Sequence, residues 1–361
     1  MGLFHWEEGI RLSSKRIHAL DGIKFAAAIC IIFHHYQAVL NVQFEGMNFN
    51  NGRFYFGYLV ELFFVISGFL AYSGVPKIGK TEAFSSFFAK RCIRLMPINI
   101  LAATVHILVI YVSYHGFHVW GWVVSAFGLF AVDPSFAAYG VNPPCWYVSV
   151  LLICSICFYA ITYWSKNKSL PLLWLYAAMV LTGLLIQLNG WNFPLVNSFT
   201  GRGLFAFFTG LLLRHLTQRY GASRKLQLVA VCILLTFMTL YIKDYFLVSE
   251  GFSYLLTLFV YPCVLILCAS PLCQKICARP WLSHLGEVSF GMYLLHTPVL
   301  YYLHHIETKY ALALPFGSWK FMLLFTGGIL ALSFVSLYTV ERPVSKKLLA
   351  ILYGAAGVAS T

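Results

Sequence analysis

Charge is scarce in this chain: Asp, Glu, Lys and Arg make up only 10% of its 361 residues, against roughly a quarter in soluble domains. With 60% of residues apolar, that scarcity excludes an ordinary water-soluble globule and places the chain in a bilayer. Acidic residues are scarcer still, 12 against 25 Lys and Arg. The basic excess is not gathered on one polar face among base-stacking aromatics, so nucleic acid is not the expected partner. Met1 to Lys15 contains Glu7, Glu8 and Arg11 and lacks an apolar core ending in small residues, so no cleaved leader is expected and the first apolar span stays in place. Ten cysteines are present, but Cys30, Cys154, Cys157, Cys232, Cys263 and Cys268 fall inside apolar runs. They read as small hydrophobes rather than a disulfide framework. Neither Cys273 with Cys277 nor Cys154 with Cys157 brings a second pair or neighbouring carboxylates, and no metal is expected.

What the sequence has in abundance is apolar stretches long enough to cross about 30 Å of hydrocarbon. They occupy 20–41, 54–75, 97–115, 146–164, 171–188, 200–216, 226–243, 251–270, 286–305 and 318–340. The expected fold is therefore all-α and polytopic, with about ten transmembrane helices. Twenty of the 25 basic residues fall in alternate loops, and the other five, Arg53, Arg202, Lys243, Lys309 and Lys320, sit in or beside the opposite loops. This asymmetry predicts that both termini are cytoplasmic. Residues 1–19 read as a cytoplasmic segment, 20–343 as the membrane domain and 344–361 as a cytoplasmic tail. Trp120 to Val132 is apolar but too short to span, so an interfacial or re-entrant piece is expected there. Thr81 to Arg94 sets Phe84, Phe87 and Phe88 beside Lys90, Arg91 and Arg94, which predicts a helix lying along the cytoplasmic surface against anionic lipid.

Ionisable side chains inside spans are costly, on the order of 3 kcal/mol or more unless they face a cavity or a partner. Here they are His34 and His35 in the first span, Glu61 in the second, Arg202 at the mouth of the sixth and His296 in the ninth. Counting 1.5 Å per residue puts His35 roughly 22 Å from the cytoplasmic side and Glu61 roughly 10 Å from the outer side. The two share nearly one depth in a core of about 30 Å. A histidine and a carboxylate so matched suit a general base and its orienting partner, able to take a proton from a hydroxyl nucleophile. The alternative is that each polar group only bonds a neighbouring helix. Adjacent helical residues point about 100° apart, so only one of His34 and His35 is expected to face a chamber. Arg91 and Arg94, three positions apart, share a helix face at the cytoplasmic side; such a pair binds a polyanion such as coenzyme A or snorkels to lipid headgroups.

The local motifs resemble those of the acyltransferase-3 family of membrane-bound acyltransferases. They are Asp21-Gly-Ile-Lys24 followed by ten residues and His35, Glu61-Leu-Phe-Phe-Val-Ile-Ser67-Gly68, and Arg91-x-x-Arg94-x-x-Pro97. Trp146-Tyr147, the Arg202 to Gly210 segment, Ser289-Phe-Gly-Met-Tyr293-Leu-Leu-His296-Thr-Pro298 and Glu341-Arg-Pro343 follow in the family's order. The resemblance runs from about Asp21 to Pro343. It implies that His35 is the catalytic histidine and that Arg91 and Arg94, with Lys24, engage the acyl donor, acetyl-CoA. It implies further that Glu61 and His296 line the reaction chamber, with His34, Ser67, Trp146, Arg202 and Tyr293 as further chamber and acceptor-binding candidates. Two departures stand out. Lys24 replaces the usual Arg and loses its planar fork, and Leu151 stands where many members carry a glutamate. No soluble esterase-like domain is appended, so transfer is expected to finish inside the membrane domain.

The function this implies is transfer of an acetyl group from cytoplasmic acetyl-CoA to a hydroxyl of a cell-surface or lipid-linked glycan, in the bacterial inner membrane. Direct transfer and an acetyl-histidine intermediate are both open at this point, as are an acyl group larger than acetyl and the identity of the acceptor sugar. The rival readings are a secondary transporter or flippase for a lipid-linked sugar or anionic substrate, which also carries rare intramembrane charges, and a non-catalytic membrane scaffold.

Overall fold

The computed structural model describes residues 17–44, 47–50, 55–116, 118–220, 223–242, 250–277 and 279–358. Of the basic residues counted above, Arg11, Lys15, Arg16, Arg53 and Lys243 lie outside them. Among the described residues the chain is all-helical, with only isolated single-pair bridges in three turns. In order the helices are α1 His18–Leu40, α2 Leu59–Ala71, α3 Phe84–Tyr114, α4 Val119–Ala126, α5 Phe136–Tyr139, α6 Cys145–Asn167, α7 Leu172–Leu188 and α8 Ser198–Tyr220. They continue with α9 Arg224–Ile242, α10 Glu250–Leu255, α11 Tyr261–Cys268, α12 Pro271–Cys277, α13 Pro280–Tyr310, α14 Trp319–Ser336 and α15 Arg342–Val358. Single π-helical turns, Leu256–Val260 and Leu337–Glu341, join α10 to α11 and α14 to α15.

Seven helical stretches are long and apolar enough to cross a membrane: His18–Leu40, Phe56–Gly74, Phe84–Tyr114, Cys145–Asn167, Arg224–Tyr241, Gly251–Cys268 and Trp319–Gly354. The other three stretches expected to span are helical too. α7 is shorter, at 17 residues, while α8 and α13 carry the polar residues that build the interior, Arg202 and Arg214 in one and Glu287 and His296 in the other.

α1 packs chiefly on α13, and α8 on both α2 and α7. The α2–α8 crossing is close because glycine occupies both sides: a Cβ on Gly68 would fall on the Phe207 carbonyl oxygen, and one on Gly210 on that of Val65. Small residues at a crossing let backbones meet where lipid supplies no hydrophobic drive.

The separate surface helix expected over Thr81 to Arg94 does not form. α3 runs unbroken from Phe84 to Tyr114 and carries Pro97 inside it. Proline has no N–H to give the carbonyl four residues back, and here Ser345 Oγ of α15 donates to that carbonyl, Ile93, at 2.9 Å. Pro298 in α13 frees the Leu294 carbonyl in the same way, and Asn142 Nδ2 donates to it at 3.2 Å. Each proline is thus tolerated because another segment satisfies the orphaned acceptor.

Within Trp120 to Val132, the stretch expected to be interfacial or re-entrant, Val124, Ala126 and Ala131 are buried against the bundle. Asn99 Nδ2 donates to the carbonyls of Ser125 and Ala126, at the end of α4. Asn99 lies fifteen residues from Tyr114, so α4 ends about 22 Å along α3 from that tip. The irregular backbone beyond is satisfied by protein: Ala131 N–H donates to Ser149 Oγ at 2.9 Å and its carbonyl accepts from Asn197 Nδ2 at 2.9 Å.

Candidate functional site

Two regions are built on the same helices. The first is a cavity of about 550 Å³ at the end of the bundle that carries Lys24, Lys90, Arg91, Arg94 and Arg342, all of which line it. Three of these five cations already have carboxylate partners: Lys24 with Asp21 at 2.7 Å, Lys90 with Glu82 at 2.9 Å, and Arg342 with Glu287. Arg91 and Arg94 have none among the described residues, and the Arg91 guanidinium lies over the Phe87 ring at 5.4 Å. Two positive charges are therefore left to face whatever enters. The π-helical turn at 337–341 brings Glu341 to the cavity wall, where it accepts a hydrogen bond from Ser336 at 3.3 Å.

An aromatic layer of Phe63, Tyr147 and Tyr293 forms part of the cavity wall. Their ring centroids lie 6.2 Å (Phe63–Tyr147), 6.1 Å (Phe63–Tyr293) and 5.6 Å (Tyr147–Tyr293) apart. Ser67 sits in this layer with its Oγ 3.1 Å from the Tyr147 hydroxyl.

The second region lies one turn farther along α13 and eleven residues along α1 from Lys24, about 16 Å. His296, fully buried, stands 6.2 Å from the Tyr293 ring and 5.0 Å from that of His35. His34 meets His35 edge-on at 4.9 Å but turns its Nδ1 to the Phe49 carbonyl, 2.9 Å away. Glu61 is 3% exposed, and its Oε1 accepts from Arg202 Nε at 2.6 Å, while the guanidinium covers the Trp146 ring at 4.7 Å. This corrects the partnership expected from matched depth: among the described residues Glu61 shares no hydrogen bond with His35. Depth alone does not fix azimuth around a helix axis, and the stronger partner for a buried carboxylate is a guanidinium.

His106 of α3, buried at 3% exposure, was not among the sequence candidates. Its Nδ1 meets Asn142 Oδ1 at 3.2 Å, and the same amide caps the Leu294 carbonyl that Pro298 frees. A histidine in the middle of the third apolar span carried the same signal that drew attention to His296.

The four imidazoles differ in what they have left to offer. His34 donates from Nδ1 to a carbonyl; His106 donates from Nδ1 to an amide oxygen whose orientation the Leu294 bond fixes. His296 donates from Nδ1 to the Met292 carbonyl at 3.2 Å and accepts from Thr297 Oγ1 at Nε2, 3.1 Å away. Only His35 has no hydrogen-bond partner at either ring nitrogen among the described residues, and its ring is half-buried rather than sealed. A lone pair open to a substrate is the first requirement of a general base.

The sequence candidates thus separate. Lys24, Arg91 and Arg94 share the cavity; Ser67 and Tyr293 stand at its inner end; His34, His35, His296, Glu61, Arg202 and Trp146 lie beyond that layer. Comparison with known proteins gives one match: the acyltransferase-3 family model, described as an acyltransferase domain, covers residues 17–338. No curated protein and no solved structure matches the chain.

Proposed function

The chain belongs to the acyltransferase-3 family of membrane acyltransferases, and from that premise we propose that it moves an acetyl group from cytoplasmic acetyl-CoA to a hydroxyl of a cell-surface or lipid-linked glycan. The membrane is the bacterial inner membrane, crossed about ten times, with both termini and the cavity mouth on the cytoplasmic side. The single observation that carries the reading is the open imidazole of His35, in line through Tyr293 and His296 with a cavity that holds two arginines lacking carboxylate partners.

In this reading the phosphates of coenzyme A meet Arg91 and Arg94, whose planar donors suit phosphate oxygens. Lys24, held by Asp21, adds charge without the fork geometry. The apolar inner wall takes the pantetheine arm, and the thioester comes to rest at the aromatic layer. The acceptor hydroxyl arrives from the other side, past His34 and the Arg202–Trp146 stack, and gives its proton to His35. Its oxygen attacks the thioester carbon directly. The thiolate leaves and recovers the proton from the His35 imidazolium. Glu61 acts through Arg202, holding the guanidinium flat on Trp146 so that its remaining N–H groups face the acceptor.

The experiment is transfer of label from radiolabelled acetyl-CoA to glycan in membranes containing the chain, beside thermal stabilisation of the purified protein by acetyl-CoA. The expected result is transfer that His35→Ala lowers by about a hundredfold or more while stabilisation by acetyl-CoA persists. Purified chain that is not stabilised by acetyl-CoA would return the transporter and scaffold readings to the front.

A further inference from the structure

Six tyrosines are buried among the described residues: Tyr36, Tyr147, Tyr159, Tyr176, Tyr261 and Tyr293. A buried phenol hydroxyl ordinarily finds a partner, because desolvating it unpaired is costly. Five of the six do. Tyr36 donates to the Phe316 carbonyl at 3.0 Å, Tyr159 to that of Glu82 at 3.0 Å and Tyr261 to that of Tyr58 at 2.8 Å. Tyr147 pairs with Ser67 at 3.1 Å and Tyr176 with Thr162 at 2.7 Å. Tyr293, 3% exposed, has no hydroxyl partner among the described residues, and it lines the inner end of the cavity. Its ring is pinned between Phe63, Tyr147 and His296, so the hydroxyl is held in place without being used.

We infer that the Tyr293 hydroxyl is the hydrogen-bond donor to the thioester carbonyl oxygen of the acyl donor, and so the residue that stabilises the oxyanion of the transfer. The inference rests on the function proposed above. A hydroxyl standing unpaired between the site of the acyl donor and the base lacks one thing, an acceptor atom, and the reaction creates a strong one there. As the acceptor oxygen bonds to the thioester carbon and its proton passes to His35, the carbonyl electron pair moves onto oxygen. Tyr293 O–H bonds that oxyanion. Collapse re-forms the carbonyl, breaks the carbon–sulfur bond and expels the thiolate, which takes the proton back from His35. No oxidant or further reactant is needed. A donor fixed before the charge appears does not have to reorganise when it does, and that is why such donors count more in the transition state than in the bound substrate.

Tyr293→Phe removes the oxygen and keeps the ring, so the aromatic layer still closes the cavity. In membranes given radiolabelled acetyl-CoA, with label counted in the endogenous glycan, kcat is expected to fall about a hundredfold or more. KM for acetyl-CoA should change by less than about threefold, the mark of an interaction made in the transition state. Wild-type kcat in this variant overturns the inference, and so does a rise in KM with kcat unchanged, since either makes Tyr293 a wall or a ground-state contact. Fluorotyrosine at position 293 gives the second reading without loss of shape. Its more acidic phenol is a stronger donor and should change kcat while KM for acetyl-CoA stays within about threefold; an unchanged kcat overturns the role. Wild-type membranes that neither bind nor turn over acetyl-CoA bring down the proposed function together with this inference. Wild-type turnover equalled by Tyr293→Phe brings down the inference alone.

Discussion

The cavity and the histidine region use charge in opposite ways. At the end of the bundle that holds the cavity, five cations meet too few carboxylates, and Arg91 and Arg94 are left over. Deeper in, each charge is matched: Glu61 has Arg202, and His34, His106 and His296 each have a nitrogen tied to backbone or amide. The contrast follows from the surroundings. A surplus charge near water is cheap and attracts a polyanion, whereas an unmatched charge in the bundle interior costs several kcal/mol. Other buried atoms, Glu61 Oε2 and Asn99 Oδ1 among them, also lack a partner, but in the reading proposed above it is at His35 and Tyr293 that the substrate supplies one.

The sharpest way to break this contrast is to remove the open imidazole. His35→Ala is expected to lower transfer by about a hundredfold to ten-thousandfold, the range for a general base, while acetyl-CoA stabilises the purified protein as before. The next effect falls on folding. Arg202→Met leaves the Glu61 carboxylate buried alone and should cost about 3 to 5 kcal/mol in unfolding measurements in detergent. Glu61→Gln combined with Arg202→Met should recover part of that; a double variant no more stable than the single would show that the pair is not a unit. Smaller again, Arg91→Ala and Arg94→Ala should each raise KM for acetyl-CoA by about ten- to a hundredfold, as a charged hydrogen bond is worth about 1.5 to 3 kcal/mol. Lys24→Ala, whose ammonium already holds Asp21, should do less, and titration of KM against salt should show the arginine effects fading. Least of all, Asn142→Ala should cost about 1 to 3 kcal/mol by orphaning the Leu294 carbonyl. Ser345→Ala should cost less, because water reaches the half-buried Ile93 end of α3.

Much of this was legible in the sequence. Helix after helix fell where apolar length required it, and Lys24, Arg91 and Arg94, each near the start of its helix, converge on one cavity. His35 and His296 meet because α1 packs on α13, a pairing that residue counting along each helix does not supply. What depth could not supply was direction around the axis, which gave Glu61 the wrong partner. The merger of the Thr81 to Arg94 segment with α3 was hidden because Pro97 reads as a break, and only Ser345, some 250 residues later in the chain, makes it tolerable. Tyr293 stood in a motif, yet its distinction lies in a missing bond, and a missing bond is visible only against the five tyrosines that have one.

The segment between α4 and α6 also sets an order of assembly. Its backbone groups at Ala131 and Val132 are satisfied by Ser149, Leu195 and Asn197, all of which are synthesised after it. Unsatisfied peptide groups are not stable in hydrocarbon, so this stretch cannot enter the bilayer when it emerges from the ribosome. It must wait at the membrane surface or within the insertion machinery until the helices around Ser149 and Asn197 are in place. The segment is thus completed only once residue 197 is in place, and a chain halted before it should leave the segment accessible to water-borne labels.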